Sequence, residues 1–213
     1  MQTDADGSTK ALQRTIRIVA ALDLGYFGIE FAVALAIGSV SLFADSIDFL
    51  EDAAVNVLIL MALGWTALHR ARVGMALAGI LLVPGLATLW TAWEKFTVPV
   101  PPEPIPLSLV GAGALVVNLS CAFMLGRYRS SRGSLTRAAF LSARNDAFAN
   151  VAIVAAGFTT AYTCSVWPDL LVGLGIAAVN ADAAREVYST ARLESKIARP
   201  EHSPGTPRAG GVP

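Results

Sequence analysis

Charge is scarce in this chain. Only 15% of its 213 residues are Asp, Glu, Lys or Arg, against roughly 25% in ordinary soluble domains. Hydrophobic residues make up 54% and the mean hydropathy is +0.57, so most of the chain belongs in lipid and little is left from which to build a soluble core. The formal net charge is zero with a pI near 6.7, which leaves no electrostatic footprint for nucleic acid. Cysteine is limited to Cys121 and Cys164, too few for a disulfide framework or a zinc cage, and both read as small apolar fillers. Histidine is limited to His69, in a loop, and His202, in the C-terminal tail; both read as solvated. Gly173 and Gly175 follow no strand, so they carry no dinucleotide fingerprint and read as close-packing residues.

What is present is a series of long apolar runs. Residues 1–13 lack the basic, apolar, small-residue order of a cleaved signal peptide and read as a cytoplasmic tail. Residues 14–199 then divide into six spans. The first runs from about Ile16 to Ala36 and carries Asp23 and Glu30 two turns apart on one face; they either bond to neighbouring helices or form a second polar site or proton step. The second runs from Val40 to about Leu68. The third, about Val73 to Phe96, contains Pro84 and ends in the interfacial belt of Trp90, Trp93, Glu94 and Lys95. Residues 98–106 hold five prolines and read as an extended outer loop. The fourth, fifth and sixth spans run from about Leu107 to Leu125, Arg137 to Tyr162 and Trp167 to Val187. Residues 200–213 are rich in Pro and Gly and read as a disordered tail. The expected fold is therefore all-α, a six-transmembrane-helix bundle.

Basic residues orient it. Arg14, Arg17, Arg70, Arg72, Arg127, Arg129, Arg132, Arg137 and Arg185 fall on one side, with Lys95 near the other and Arg144 inside. The positive-inside rule then places both termini in the cytoplasm.

Acidic residues break the second span at Asp45, Asp48, Glu51 and Asp52. On a helix Asp45, Asp48, Asp52 and Asn56 share one stripe. Each carboxylate would cost roughly 2.5 kcal/mol or more facing lipid, so the stripe must face protein, water or a cation. At about 1.5 Å per residue, Asp48 and Asp52 lie roughly 12 and 18 Å from the outer face, and Asp146 roughly 17 Å from it. Ser142, Asn145, Asp146 and Asn150 occupy one face of the fifth span, as Asp48, Asp52 and Asn56 do on the second. Two oxygen-rich faces at one depth suit a dehydrated divalent cation.

The run Ser39-Val40-Ser41-Leu42-Phe43-Ala44-Asp45-Ser46-Ile47-Asp48-Phe49-Leu50-Glu51-Asp52 resembles the second membrane helix of the cation diffusion facilitators, in which Asp or His, three residues, then Asp supplies two metal ligands. Asp48 and Asp52 match that pair. Ala138 to Ala147 resembles the fifth helix, where a similar pair supplies two more; Asp146 matches, and Ser142 stands where the family usually has His or Asp. Glu30, Glu94, Asn118 and the Trp167-Pro168-Asp169 opening also sit where similar family residues occur. The resemblance implies a divalent metal exporter working by proton-coupled alternating access, and implies metal ligation by Asp48, Asp52 and Asp146, completed by Asn145, Ser142 or water.

An oxygen-only site suits Mn²⁺, Fe²⁺ or Mg²⁺, with Zn²⁺ and Co²⁺ also open. The family's cytosolic metal-binding domain has no counterpart in this sequence, which weakens the homodimer that the resemblance implies. No prosthetic group is implied; the partners are divalent cations, protons and the lipid of a cytoplasmic (inner) membrane. Arg144 has two readings, snorkelling to the inner face or pairing with an acid. The second would make the chain a non-transporting scaffold or interaction subunit with a degenerate metal site. An intramembrane aspartyl protease is disfavoured by the lack of a Gly-x-Gly-Asp neighbourhood, so the chain reads as a non-enzyme.

Overall fold

The computed structural model describes residues 2–62, 86–128 and 133–180, all helix or short connection with no strand among them. The end of the second span, the His69-Arg70-Arg72 loop, Pro84, Arg129, Arg132, the end of the sixth span and the C-terminal tail lie outside the described residues. Helix α1 spans Gln2–Ile37, α2 Val40–Ala62, α4 Pro104–Gly126, α5 Gly133–Thr163 and α6 Trp167–Asn180. Between α2 and α4, residues 86–97 are helical and are called α3.

Two boundaries differ from expectation for identifiable reasons. The segment expected as an N-terminal tail is helical from Gln2; it contains no proline and several good helix formers, including Lys10, Ala11, Leu12 and Gln13. Helix α4 begins at Pro104, inside the expected outer loop. Pro104 and Pro106 both sit in its first turn, where a backbone N–H would have no intrahelical partner, so proline is tolerated there.

The other boundaries follow local chemistry. Gly38 takes a φ of 63°, the left-handed conformation that ends a helix at little cost only for glycine. Ser39 then caps α2, its Oγ accepting from Leu42 N at 3.2 Å. Helix α5 stops at Cys164, whose φ is 50° and whose N–H returns to Thr160 O at 2.8 Å.

Helices α1 and α2 pack as one antiparallel pair and α4 and α5 as another; contacts of α1 with α4 and of α2 with α5 close the ring. Two apolar clusters lie at its ends. One joins Ala34, Leu42, Phe43, Ile47, Leu107 and Ile153 with Ile176 of α6. The other joins Ile16, Val19, Ala122, Leu125 and Ala143. Gly173 brings α6 against the start of α2, since a Cβ there would lie 2.7 Å from the Val40 carbonyl carbon. Gly175 does not share this packing role, having nothing within 4 Å of its Cβ position.

The distribution of side chains inverts that of a soluble protein. Asp23, Glu30, Asp45 and Asp169 are at most 1% exposed, whereas Leu109, Phe123, Phe148 and Phe158 are about 70% exposed. Helices arranged this way turn apolar surface outward to lipid and keep costly polar groups within the bundle. By length and composition Lys10–Ile37 and Pro104–Gly126 can each cross a membrane.

Candidate metal site

Polar groups fall in four levels along α2, roughly one per turn. At its N-terminus, Asp169 of α6 accepts from Ser39 Oγ at 2.6 Å, Val40 N at 2.9 Å, Ser41 N at 3.1 Å and Ser41 Oγ at 2.6 Å. A carboxylate satisfying the first free amides of a helix gains from both the hydrogen bonds and the helix dipole. Replacing Asp169 by Ala leaves those buried donors unpaired and is expected to cost about 3 kcal/mol. The check is thermal unfolding of the detergent-solubilised protein: Asp169→Ala melts lower, Asp169→Asn recovers part of the loss, and a wild-type melting point for the Ala variant would contradict the clamp.

The next level crosses all four helices of the ring. Asn118 Nδ2 donates to Asn150 Oδ1 at 3.0 Å, and Asn150 Nδ2 donates to Asp45 Oδ2. Glu30 of α1 reaches Asp45 from the other side. Both Glu30 oxygens and Asp45 Oδ1 are buried without a donor, because a second carboxylate offers none. Such a pair needs a shared proton or a cation between its members.

The third level holds most of the residues singled out from the sequence. Ser142 Oγ donates to Asp52 Oδ1 at 2.9 Å, and the Asp52 and Asp146 carboxyls lie within hydrogen-bonding reach of each other. Asp48, 9% exposed, feels the charges of Asp146, Asp45, Glu51 and Asp52. The antiparallel register of α2 and α5 explains the arrangement: Asp45 meets Asn150 at one end of the contact, and Asp52 meets Ser142 at the other.

Asn145 is not part of this face. It is exposed, and its Oδ1 accepts from Arg144 Nη2 at 3.4 Å. One residue advances a helix by about 100°, which carries Asn145 off the line through Ser142 and Asp146. Arg144 is exposed as well, so the reading in which it neutralises the acidic wall has no support from its position.

Among the described residues no three Asp, Glu, His or Cys side chains form a ready metal cage. Asp52 and Asp146 are the close pair, and Asp48 is one turn earlier in α2. The available donors on this wall are carboxylate and hydroxyl oxygens, a hard set suited to a hard or borderline divalent ion.

The fourth level joins Asp23, Asn56 and Cys121. Asn56 Nδ2 donates to Asp23 Oδ2 at 3.3 Å, and Cys121 Sγ lies 3.4 Å from Asp23 Oδ1. Cys121 therefore faces a carboxylate as well as the apolar cluster, and Cys164 is exposed; neither is a simple apolar filler. The Asp169 clamp and the Asn118–Asn150–Asp45 ladder have no local signature in the sequence. Single Asn and Asp residues in apolar runs mark that a polar partner exists, but not which helix supplies it.

No curated protein matches the chain. A family model described as the cation efflux transmembrane domain matches residues 16–194, a stretch that begins in α1, takes in all four polar levels and runs beyond the described residues. With its carboxylates turned inward on α1, α2 and α5 and its apolar side chains turned outward, the chain belongs to the cation efflux family, whose members carry metal cations across membranes.

Proposed function

We propose that the protein exports a divalent cation of the Mn²⁺, Fe²⁺, Co²⁺ or Zn²⁺ type from the cytoplasm, in exchange for protons. The observation that carries this reading is the meeting of Asp52, Asp146 and Ser142 between α2 and α5, with Asp48 one turn away. In the proposed cycle both termini are cytoplasmic, in an inner membrane, and the metal loads on Asp48, Asp52 and Asp146 from that side. Rocking of the helices then opens the wall to the other side.

Proton exchange follows from the same chemistry. Carboxylates crowded in a poor dielectric repel one another when ionised, so they take up protons when the metal leaves. Metal binding requires the deprotonated form, so acid disfavours loading and a bound metal expels protons. Ser142 supports Asp52 by hydrogen bonding and supplies a weaker ligand than His or Asp would. The Asp169 clamp holds the far end of α2 and so couples its position to α6. A homodimer is part of the proposal only as a family expectation.

Purified protein in proteoliposomes, offered Mn²⁺, Fe²⁺, Co²⁺, Zn²⁺, Cd²⁺ and Mg²⁺ with a pH dye inside, tests the whole reading. Uptake of a transition metal is expected, with alkalinisation of the lumen as protons leave, and with slower metal entry when the outside is acidified. Absence of flux for every metal, in protein that binds metal and melts cooperatively, would favour the scaffold reading.

A further inference from the structure

Cys121 is 1% exposed, as is Asp23, and Asn56 is 2% exposed. Their side chains converge from three helices, α4, α1 and α2. Asp23 offers two oxygens, one 3.4 Å from Cys121 Sγ and the other 3.3 Å from Asn56 Nδ2. The remaining polar atom of that amide, Asn56 Oδ1, is buried and has no partner. A buried carbonyl oxygen without a donor carries an uncompensated desolvation cost, which a bound cation would remove.

The spacing fits such a cation. With metal–sulfur and metal–oxygen bonds of about 2.3 and 2.0 Å, two ligands of a tetrahedral Zn²⁺ are about 3.5 Å apart. Cys121 Sγ and Asp23 Oδ1 already stand at nearly that separation. The donor set also differs from the acidic wall one turn away: one carboxylate, one amide and one thiol stand in place of three carboxylates.

We propose that Asp23, Asn56 and Cys121 form a second metal site, selective for a thiophilic divalent cation such as Cd²⁺ or Zn²⁺, next to the Asp52 end of the carboxylate wall. On binding, the Cys121 S–H bond breaks, its proton is released to water, and the thiolate donates its electron pair to the metal; Asp23 gives one oxygen ligand, and the Asn56 amide, whose Nδ2 faces Asp23 without metal, turns over to give Oδ1 as the other. Asn56 lies one turn after Asp52 on the same stripe of α2, and Asp52 acts electrostatically on both Asp23 and Cys121. The site is thus a neighbouring station for soft ions, resting on the transport reading for its purpose but not for its existence.

The test is Cd²⁺ titration of the purified full chain carrying Cys164→Ser, followed by the ultraviolet thiolate-to-Cd²⁺ charge-transfer band and by proton release into weak buffer. The band is expected to appear with one proton released. Cys121→Ser should abolish the band, and Asp23→Asn should weaken Cd²⁺ binding by at least about tenfold. Absence of the band in the Cys164→Ser protein, or an undiminished titration in Asp23→Asn, overturns the site. Uptake of the metal panel by the same protein in proteoliposomes tests the transport reading separately: Cd²⁺ binding without uptake of any metal would sustain the second site while refuting the transport reading.

Discussion

Asp52→Ala and Asp146→Ala are each expected to reduce metal uptake into proteoliposomes by at least about a hundredfold, while the protein still inserts and purifies as a folded species. Removal of an outer-shell support typically lowers metal affinity 10- to 100-fold, so loss of a direct carboxylate ligand should do at least as much. Neither change should unfold the bundle. The Asp52 charge opposes ionisation of Asp146, and taking either acid away relieves that repulsion rather than leaving a cation unpaired. Asp52→Ala also frees the Ser142 hydroxyl, which donates to it at 2.9 Å; a hydroxyl can turn to a backbone carbonyl of its own helix, so that loss is modest. Metal-dependent flux retained in either variant would remove the carboxylate wall from the mechanism.

The opposite change should add function. Ser142→His places an imidazole beside Asp52 and Asp146, a nitrogen ligand that favours Zn²⁺ over Mn²⁺. A gain of about tenfold in the Zn²⁺-to-Mn²⁺ affinity ratio is expected, worth about 1.4 kcal/mol. The measurement is competition binding of the two ions to purified variant and wild type. An unchanged ratio would mean that residue 142 does not reach the metal. The site is well placed for the substitution, because Ser142 already touches Asp52 across the α2–α5 interface.

The sequence made the depth of the wall legible because helix rise is uniform. Counting from either end of their spans brought Asp48, Asp52 and Asp146 to one level, and the antiparallel contact of α2 with α5 has the same register. It also marked Asp23 and Glu30 as one face of α1, and these residues meet Asn56 and Asp45 of α2. Asn145 shows the limit of that reasoning. Its spacing of three from Ser142 favours the same side of the helix, but the residue adjoins Asp146, and the step of about 100° between neighbours carries it outward, where it meets Arg144. Rise and periodicity fix depth and approximate direction; rotamers and neighbouring side chains decide the final contact.

Asp169 shows a second limit. A Trp-Pro-Asp opening signals a helix start, and an acid in a first turn would ordinarily be assigned to its own helix. Here the carboxylate instead serves the N-terminus of α2, more than a hundred residues earlier in the chain. Gly173 makes that approach feasible by letting α6 lie against Val40. Neither residue announces its partner, since the pairing is set by helix packing and not by local spacing.

In the proposed cycle the wall between α2 and α5 binds the transported ion. Mn²⁺ tests it most directly, because this hard ion favours carboxylate oxygen over the thiol of Cys121 and its free form is counted by electron paramagnetic resonance. Titration of the purified protein should show Mn²⁺ bound by wild type, lost in both Asp52→Ala and Asp146→Ala, and displaced as pH falls. Equal Mn²⁺ binding by wild type and the two variants would contradict the account.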